Sequence, residues 1–315
     1  MQKYRRIQAK DLDTGEVLGN VFMKNDGSEE FFMDTRNTNQ IEGYKKKLEK
    51  DKNLELLKIH ISKNEGSYFH LIYKYGIPLL HELQAKYEGN KSNIHIVRFI
   101  KLATHVTYGG RLFDHNNNEI KKSSLSKIWD TTNRTSVNET YNLLKECNYI
   151  NETEEGNIMI SNDLIVKGAI SDFKKLKRKD ENLTYTRLFT ENIQAMYEGT
   201  EPKARKQLAN LFKALPYINF KYNIFCMNPT ETDRNKLQLL KWTDLARLCG
   251  YEDDKNITKF KNDLWKLKIN GYATIGEFKT VDGYYIAVNP QVFYGGNDVE
   301  EVEFLYKSFA IVMKK

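Results

Sequence analysis

At 315 residues, 40% hydrophobic and 12% aromatic, the chain is long enough for two or three packed cores, yet no uncharged run approaches the ~20 residues of a membrane span. Its formal net charge of +7 suits a polyanionic partner, or equally a solvated surface, because net charge governs association and not fold. Three widely spaced cysteines, Cys147, Cys226 and Cys249, point to reduced thiols and away from a disulfide framework or a zinc site. The start, MQKYRRIQAKDLDTGE, has no apolar stretch behind its charges, so no signal peptide, no membrane partner and a cytoplasmic location are expected.

In chain order, Tyr4 to Ala9, Val21 to Met23 and Phe31 to Met33 read as short strands, separated by turn residues at Asp13-Thr14-Gly15 and Asn25-Asp26-Gly27. A charged helix is expected around Ile41 to Lys52. LELLKIHIS and SYFHLIYKY flank KNEG as a hairpin, and IPLLHELQAKYEG starts with Pro78 in a first helical turn. These elements predict a small α+β domain over 1–90.

From Ile94 the period changes. Ile96, Phe99, Ala103 and Val106 recur at the spacing of one helix face, and the helix is expected to end near Tyr108-Gly109-Gly110. A polar loop follows, then a short helix SLSKIW, a polar turn, and a longer helix SVNETYNLLKECNY with Thr135 or Ser136 as N-cap and Val137, Tyr141 and Leu144 inward. Two short strands then surround ETEEGN. Helix, helix, turn, helix, hairpin is the order of a winged helix-turn-helix, assigned to 91–170.

A basic linker, 171–183, contains KKLKRK. The second unit, 184–315, begins with helices at Thr184 to Glu198 and Pro202 to Leu215, followed by a strand-like YNIFCM. Thr243 is expected to cap the helix DLARLC, and Asn256 a longer helix with Ile257, Phe260, Leu264 and Leu267 inward. Ala273 to Lys279 and Tyr284 to Val288 pair around Asp282-Gly283. GYYIAVNPQVFYGG repeats the plan of GNIMISNDLIVKG in the first unit, which points to an internal duplication. The fold class expected is α+β, mainly helical, with two winged helix-turn-helix units after the N-terminal domain.

In such a unit the longer helix enters the major groove. The exposed base-reading candidates are Asn133, Arg134, Thr135, Asn138 and Asn142 in the first unit, and Thr258, Lys259 and Asn262 in the second. Lys174, Lys175, Lys177, Arg178, Lys179, Lys255, Lys261 and Lys279 are the candidates for phosphate contact. Two features oppose a simple duplex contact: the first hairpin tip carries Glu152, Glu154 and Glu155, and EDDKN before the second long helix is acidic.

Enzyme patterns find little support. There is no glycine-rich loop ending in Gly-Lys-Ser/Thr, and the six histidines are scattered. Asp263, Glu277 and Lys279 imitate a metal-dependent nuclease pattern, but one lies on the second long helix and two on the hairpin. Tyr284, Tyr285, Phe293 and Tyr294 are read as packing residues, not a base-stacking platform. No catalytic residue, cofactor or metal is expected.

FIKLATHVTYGGRLFDHNNNEIKKSSLSKIWDTTNRTSVNETYNLLKECNYI resembles the helix-turn-helix core of replication and regulatory proteins carried by phages and plasmids of low-GC Gram-positive bacteria, and VNPQVFYGG resembles the exit of their wings. The resemblance covers about residues 94–168 and, less closely, 240–296. It implies a non-enzymatic binder of specific double-stranded DNA, an origin-binding initiator or an operator-binding regulator, that recruits host replication proteins or RNA polymerase. The alternative is a protein-interaction adaptor. Whether the N-terminal domain dimerises, senses a ligand or docks a partner is open.

Overall fold

The computed structural model describes residues 4–10, 17–24, 32–33, 68–74, 80–86, 91–168, 171–181, 183–269, 272–280, 283–290 and 293–294, with Leu305 and Phe309. The chain is mixed helix and strand and divides into two units, Met1–Ile59 and His60–Lys315. Among the described residues no helix is long and apolar enough to cross a membrane.

In the first unit, strands β1 (Tyr4–Lys10), β2 (Val17–Lys24) and β3 (Phe32–Met33) form an antiparallel sheet in the order β1-β2-β3. The expected turns at 13–15 and 25–27, the charged stretch 41–52, LELLKIHIS and KNEG lie outside the described residues.

The second unit begins before residue 90, because strand β4 (Tyr68–Lys74) is the centre of its sheet. Short helix α1 (His81–Ala85) leads to α2 (Asn93–Ala103), which is buried almost all round. The expected single helix to residue 108 stops at Ala103, and a separate 3-10 turn forms at Tyr108–Gly110. Helices α3 (Leu125–Ile128) and α4 (Arg134–Glu146) follow, then the hairpin β5 (Ile150–Glu152) and β6 (Ile158–Ile160), and β7 (Ile165–Val166). The expected cap at Thr135 or Ser136 is corrected: the cap is Asn133, two residues before Thr135, and its Oδ1 accepts from the Ser136 N–H at 3.0 Å.

The basic linker contains a helix, α5 (Ser171–Lys179). The helix expected from Thr184 starts only at Thr190: Leu183–Phe189 is strand β8, and α6 spans Thr190–Glu198. LTYTRLF alternates in strand period, and β4 offers it seven consecutive pairs, Tyr68–Phe189 through Lys74–Leu183. Pro202 to Leu215 resolves into a 3-10 turn at Arg205–Leu208 and helix α7 (Ala209–Ala214). Helix α8 (Trp242–Leu248) starts one residue before the expected cap Thr243, with Lys241 at its N-cap, and α9 (Asp254–Lys266) is capped by Asp253, not Asn256. Asp253 Oδ1 accepts from the Asn256 N–H at 2.8 Å. That cap, with Asp254 in the first turn, gives the acidic EDDKN a role at a helix N-terminus. Strands β9 (Lys268–Ile269) and β10 (Tyr272–Ala273) precede the hairpin β11 (Ile275–Thr280) and β12 (Gly283–Val288), paired from Ile275–Val288 to Thr280–Gly283.

The sheet order is β7-β4-β8, and Phe293 bridges to Leu188 on the far edge of β8. Each hairpin therefore returns its chain to the sheet, β7 beside β4 and Phe293 beside β8. Strand, helices, a 13-residue helix, hairpin and return recur in the same order in 68–168 and 183–294. The buried Asn289 closes the second return: its Nδ2 donates to the Ala273 carbonyl, and Asn223 donates to Val288 and Phe293 carbonyls.

The sheet has two different faces. Phe69, Leu71 and Tyr73 point into the main core with α2, α4, α7 and α9, while Ile72 joins Val166, Leu176, Leu183 and Tyr185 on the other side. Helix α5 covers that second side through Leu176. Phe99, Phe212 and Phe260 are fully buried in the main core, each worth roughly 1.5–3 kcal/mol of apolar burial.

Candidate nucleic-acid interface

Helix α4 is amphipathic by position. Val137, Thr140, Tyr141, Leu143 and Leu144 face inward, which leaves Arg134, Thr135, Asn138 and Asn142 exposed. Asn133 is also exposed, but its Oδ1 holds the cap and only its amide nitrogen remains to donate outward. Helix α9 repeats the arrangement: Ile257, Phe260 and Leu264 are buried, and Lys255, Thr258, Lys259 and Asn262 are exposed.

A buried charge sets the position of α4. Arg98 sits within the apolar run IVRFIKLA of α2, where a charge needs partners. Its Nη1 donates to the Ser136 carbonyl at 2.8 Å, to Ser136 Oγ at 2.9 Å and to Thr140 Oγ1 at 2.7 Å. Its guanidinium also lies over the Trp129 ring at 5.4 Å, which ties α3 to the same point. His95 Nδ1 lies 2.9 Å from Thr140 Oγ1. Burial lowers the His95 pKa, with Arg98 adding to the effect against the pull of Glu139.

Helices α4 and α9 border one open cavity of about 640 Å³. Ser136 and Glu139 line it from α4, Lys259 and Asp263 from α9, and Asn93, His95, Lys206 and Asn210 form its floor and rim. Burial raises the Asp263 pKa, which Lys259 and Lys266 partly offset, and Asn210 Nδ2 donates to its carboxylate at 3.3 Å. The two long helices of the repeat thus flank one feature of the surface.

The remaining candidates are dispersed. Lys261 is half-buried between the rings of Trp242 and Trp265, at 5.4 and 5.5 Å, and pairs with Glu277 at 3.2 Å. Lys279 is exposed on β11. Lys174, Lys175, Lys177, Arg178 and Lys179 are exposed on α5, which the sheet separates from α4 and α9. In the first hairpin, Glu152 pairs with Lys145 at 2.6 Å, so that acid is neutralised locally.

The residues of the nuclease-like pattern have separate partners: Asp263 is held by Asn210, and Glu277 by Trp242 Nε1 at 3.0 Å and Lys261. Among the described residues no group of three or more His, Cys, Asp or Glu is arranged to hold a metal ion. Tyr285, Phe293 and Tyr294 are buried and Tyr284 is half-buried against the core. Cys226 and Cys249 are free, with thiols pushed up to about 12 by burial.

Sequence reasoning missed Arg98 as the residue that positions α4, and Lys91 and Lys206 at the cavity rim. A lone arginine inside an apolar helical stretch was the available signal for the first; the second depended on contacts across the repeat. The chain matches no protein-family model, no curated protein and no solved structure.

Proposed function

We propose that the chain binds specific double-stranded DNA through two winged-helix units, with α4 and α9 as the helices that enter the major groove. One observation carries the reading. Two 13-residue helices, each capped by an Asx side chain, preceded by a short helix and followed by a hairpin, flank the same cavity with polar donors outward. In this reading Arg134 takes the O6 and N7 of a guanine, Asn138 and Asn142 recognise adenine edges, and each bidentate contact discriminates by ~1–3 kcal/mol. Thr135, Thr258, Lys259 and Asn262 extend the set, while Lys255 and Lys279 hold phosphates. Lys261 contributes only if its pairing with Glu277 opens. Two linked readers raise the effective concentration for the second contact, which suits an origin repeat or an operator.

The test is selection of bound duplexes from a random pool at about 100 mM salt. Enrichment of a defined motif is the expected result. No enrichment and no binding would overturn the proposal in favour of a protein-interaction adaptor.

A further inference from the structure

The cavity that α4 and α9 border has a floor and a rim of different chemistry. A directed chain of hydrogen bonds crosses the floor: the Asn93 amide donates to the Tyr251 hydroxyl, that hydroxyl donates to Asn210 Oδ1, and Asn210 Nδ2 donates to Asp263 Oδ2 at 3.3 Å. The order fixes both amides, because a hydroxyl has one proton and that of Tyr251 goes to Asn210. The chain therefore ends in an acceptor on each side. Asn93 is 4% exposed, lines the cavity, and its Oδ1 has no hydrogen-bond partner among the described residues. Asp263, half-buried, closes the other end with its carboxylate. An unpaired buried acceptor costs free energy that an N–H on a ligand recovers. The rim is basic: Lys91 before α2, Lys206 in the 3-10 turn and Lys259 on α9 are all exposed, against the two acids Glu139 and Asp263.

We infer that this cavity binds a nucleotide with an amino-bearing purine base, whose N–H groups meet Asn93 Oδ1 and the Asp263 carboxylate while its phosphate meets the lysines of the rim. The inference goes beyond the DNA-binding reading and does not depend on it. The volume of about 640 Å³ lies within the range of small-molecule sites. Other ligand classes match only half of the site. A simple anion leaves the acceptors of the floor unpaired and meets Asp263 as a like charge, whereas a polyamine satisfies the floor but meets three lysines. A free amino acid carries both charges and fills only a minor part of the volume.

The experiment titrates the full chain calorimetrically with adenosine and guanosine 5′-monophosphates. Purine riboside and inosine 5′-monophosphates, which lack the exocyclic amine, are the matched controls. At least one of the aminopurine nucleotides is expected to bind with a Kd of about 100 μM or tighter, and its amine-free control at least about tenfold more weakly. Lys91→Gln/Lys206→Gln is expected to weaken the nucleotide at least about threefold and to leave the parent nucleoside within about twofold. Asn93→Ser, with its folding checked by urea denaturation, is expected to weaken nucleotide and nucleoside alike; if it fails to fold, Asp263→Ala takes its place with the same expectation. The inference is overturned if neither aminopurine nucleotide binds, if the amine-free controls bind equally, or if both variants keep the wild-type affinity. It is also overturned if inorganic phosphate or uridine 5′-monophosphate binds as tightly, which would leave an anion site alone. A nucleic-acid strand could present the same chemistry, so a short oligodeoxyadenylate competes against the bound nucleotide. Tighter binding than the mononucleotide assigns the site to a strand, weaker or equal binding assigns it to the free nucleotide, and both support it.

Discussion

Replacing Arg98 with Met removes the clamp between α2 and α4 while keeping most of the side-chain volume. Three hydrogen bonds of 2.7–2.9 Å leave with one nitrogen, and so does the stacking over Trp129. A hydrogen bond from a charged donor is worth about 1.5–3 kcal/mol, but three that share one nitrogen do not add, and removing a buried charge relieves its desolvation. Thr140 Oγ1 keeps a bond to the Ser136 carbonyl at 3.0 Å and its contact with His95, so the acceptors are not all orphaned. The balance is a loss of about 2–4 kcal/mol. Urea denaturation at pH 7 measures it, and the same variant should bind the selected duplex more weakly with an unchanged salt slope, because no phosphate contact is lost. Arg98→Lys keeps the charge but not the fork, and should fall between the two. A loss under about 0.5 kcal/mol for Arg98→Met would refute the clamp.

Arg205 is buried and donates to the carbonyls of Tyr197, Thr200, Trp129 and Asp130 as well as to the Asp130 carboxylate, whose side chain is 72% exposed. Arg205→Met should cost about 3 kcal/mol or more in denaturation and Asp130→Ala under about 1, since the exposed carboxylate is the minor partner. At Gly110, φ is +79° and an added Cβ would collide with the Ile160 carbonyl oxygen; Gly156 has φ +76° and open space. Gly156→Ala should cost about 1–2 kcal/mol, and Gly110→Ala clearly more by the same denaturation assay. For Glu277, burial works to raise the pKa, but bonds from Trp242 and Lys261 prevail and lower it. Its contribution to stability is therefore present above the ordinary glutamate range and lost as pH falls through the lowered folded-state value. The difference in urea midpoint between wild type and Glu277→Gln should shrink on acidification from pH 7, and a constant difference would contradict the assignment.

Local elements were legible because their signals are local. The two long helices follow from three-four spacing at Val137, Tyr141 and Leu144 and at Ile257, Phe260 and Leu264, and both hairpins from alternation around glycine-containing turns. Strand β8 was misread because its partner β4 lies 109 to 121 residues upstream, from the pair Lys74–Leu183 to the pair Tyr68–Phe189, and helix α6 follows without a break. The cap of α4 was misplaced because Asn133, Thr135 and Ser136 are all capable caps, and Ser136 Oγ is instead taken by Arg98. The exposed faces of α4 and α9 were readable from helical period alone. Their meeting at one cavity, the seating of half-buried Lys261 beside two tryptophans and the position of α5 behind the sheet all depend on long-range packing.

The central claim is base reading by α4, and its most direct measurement is the binding free energy of every single-base variant of the selected site, for wild type and Arg134→Ala. The account predicts that the mutant loses ~1–3 kcal/mol of discrimination at one guanine and keeps the profile at the other positions. Uniform weakening at all positions would make Arg134 a phosphate contact and contradict base reading by α4.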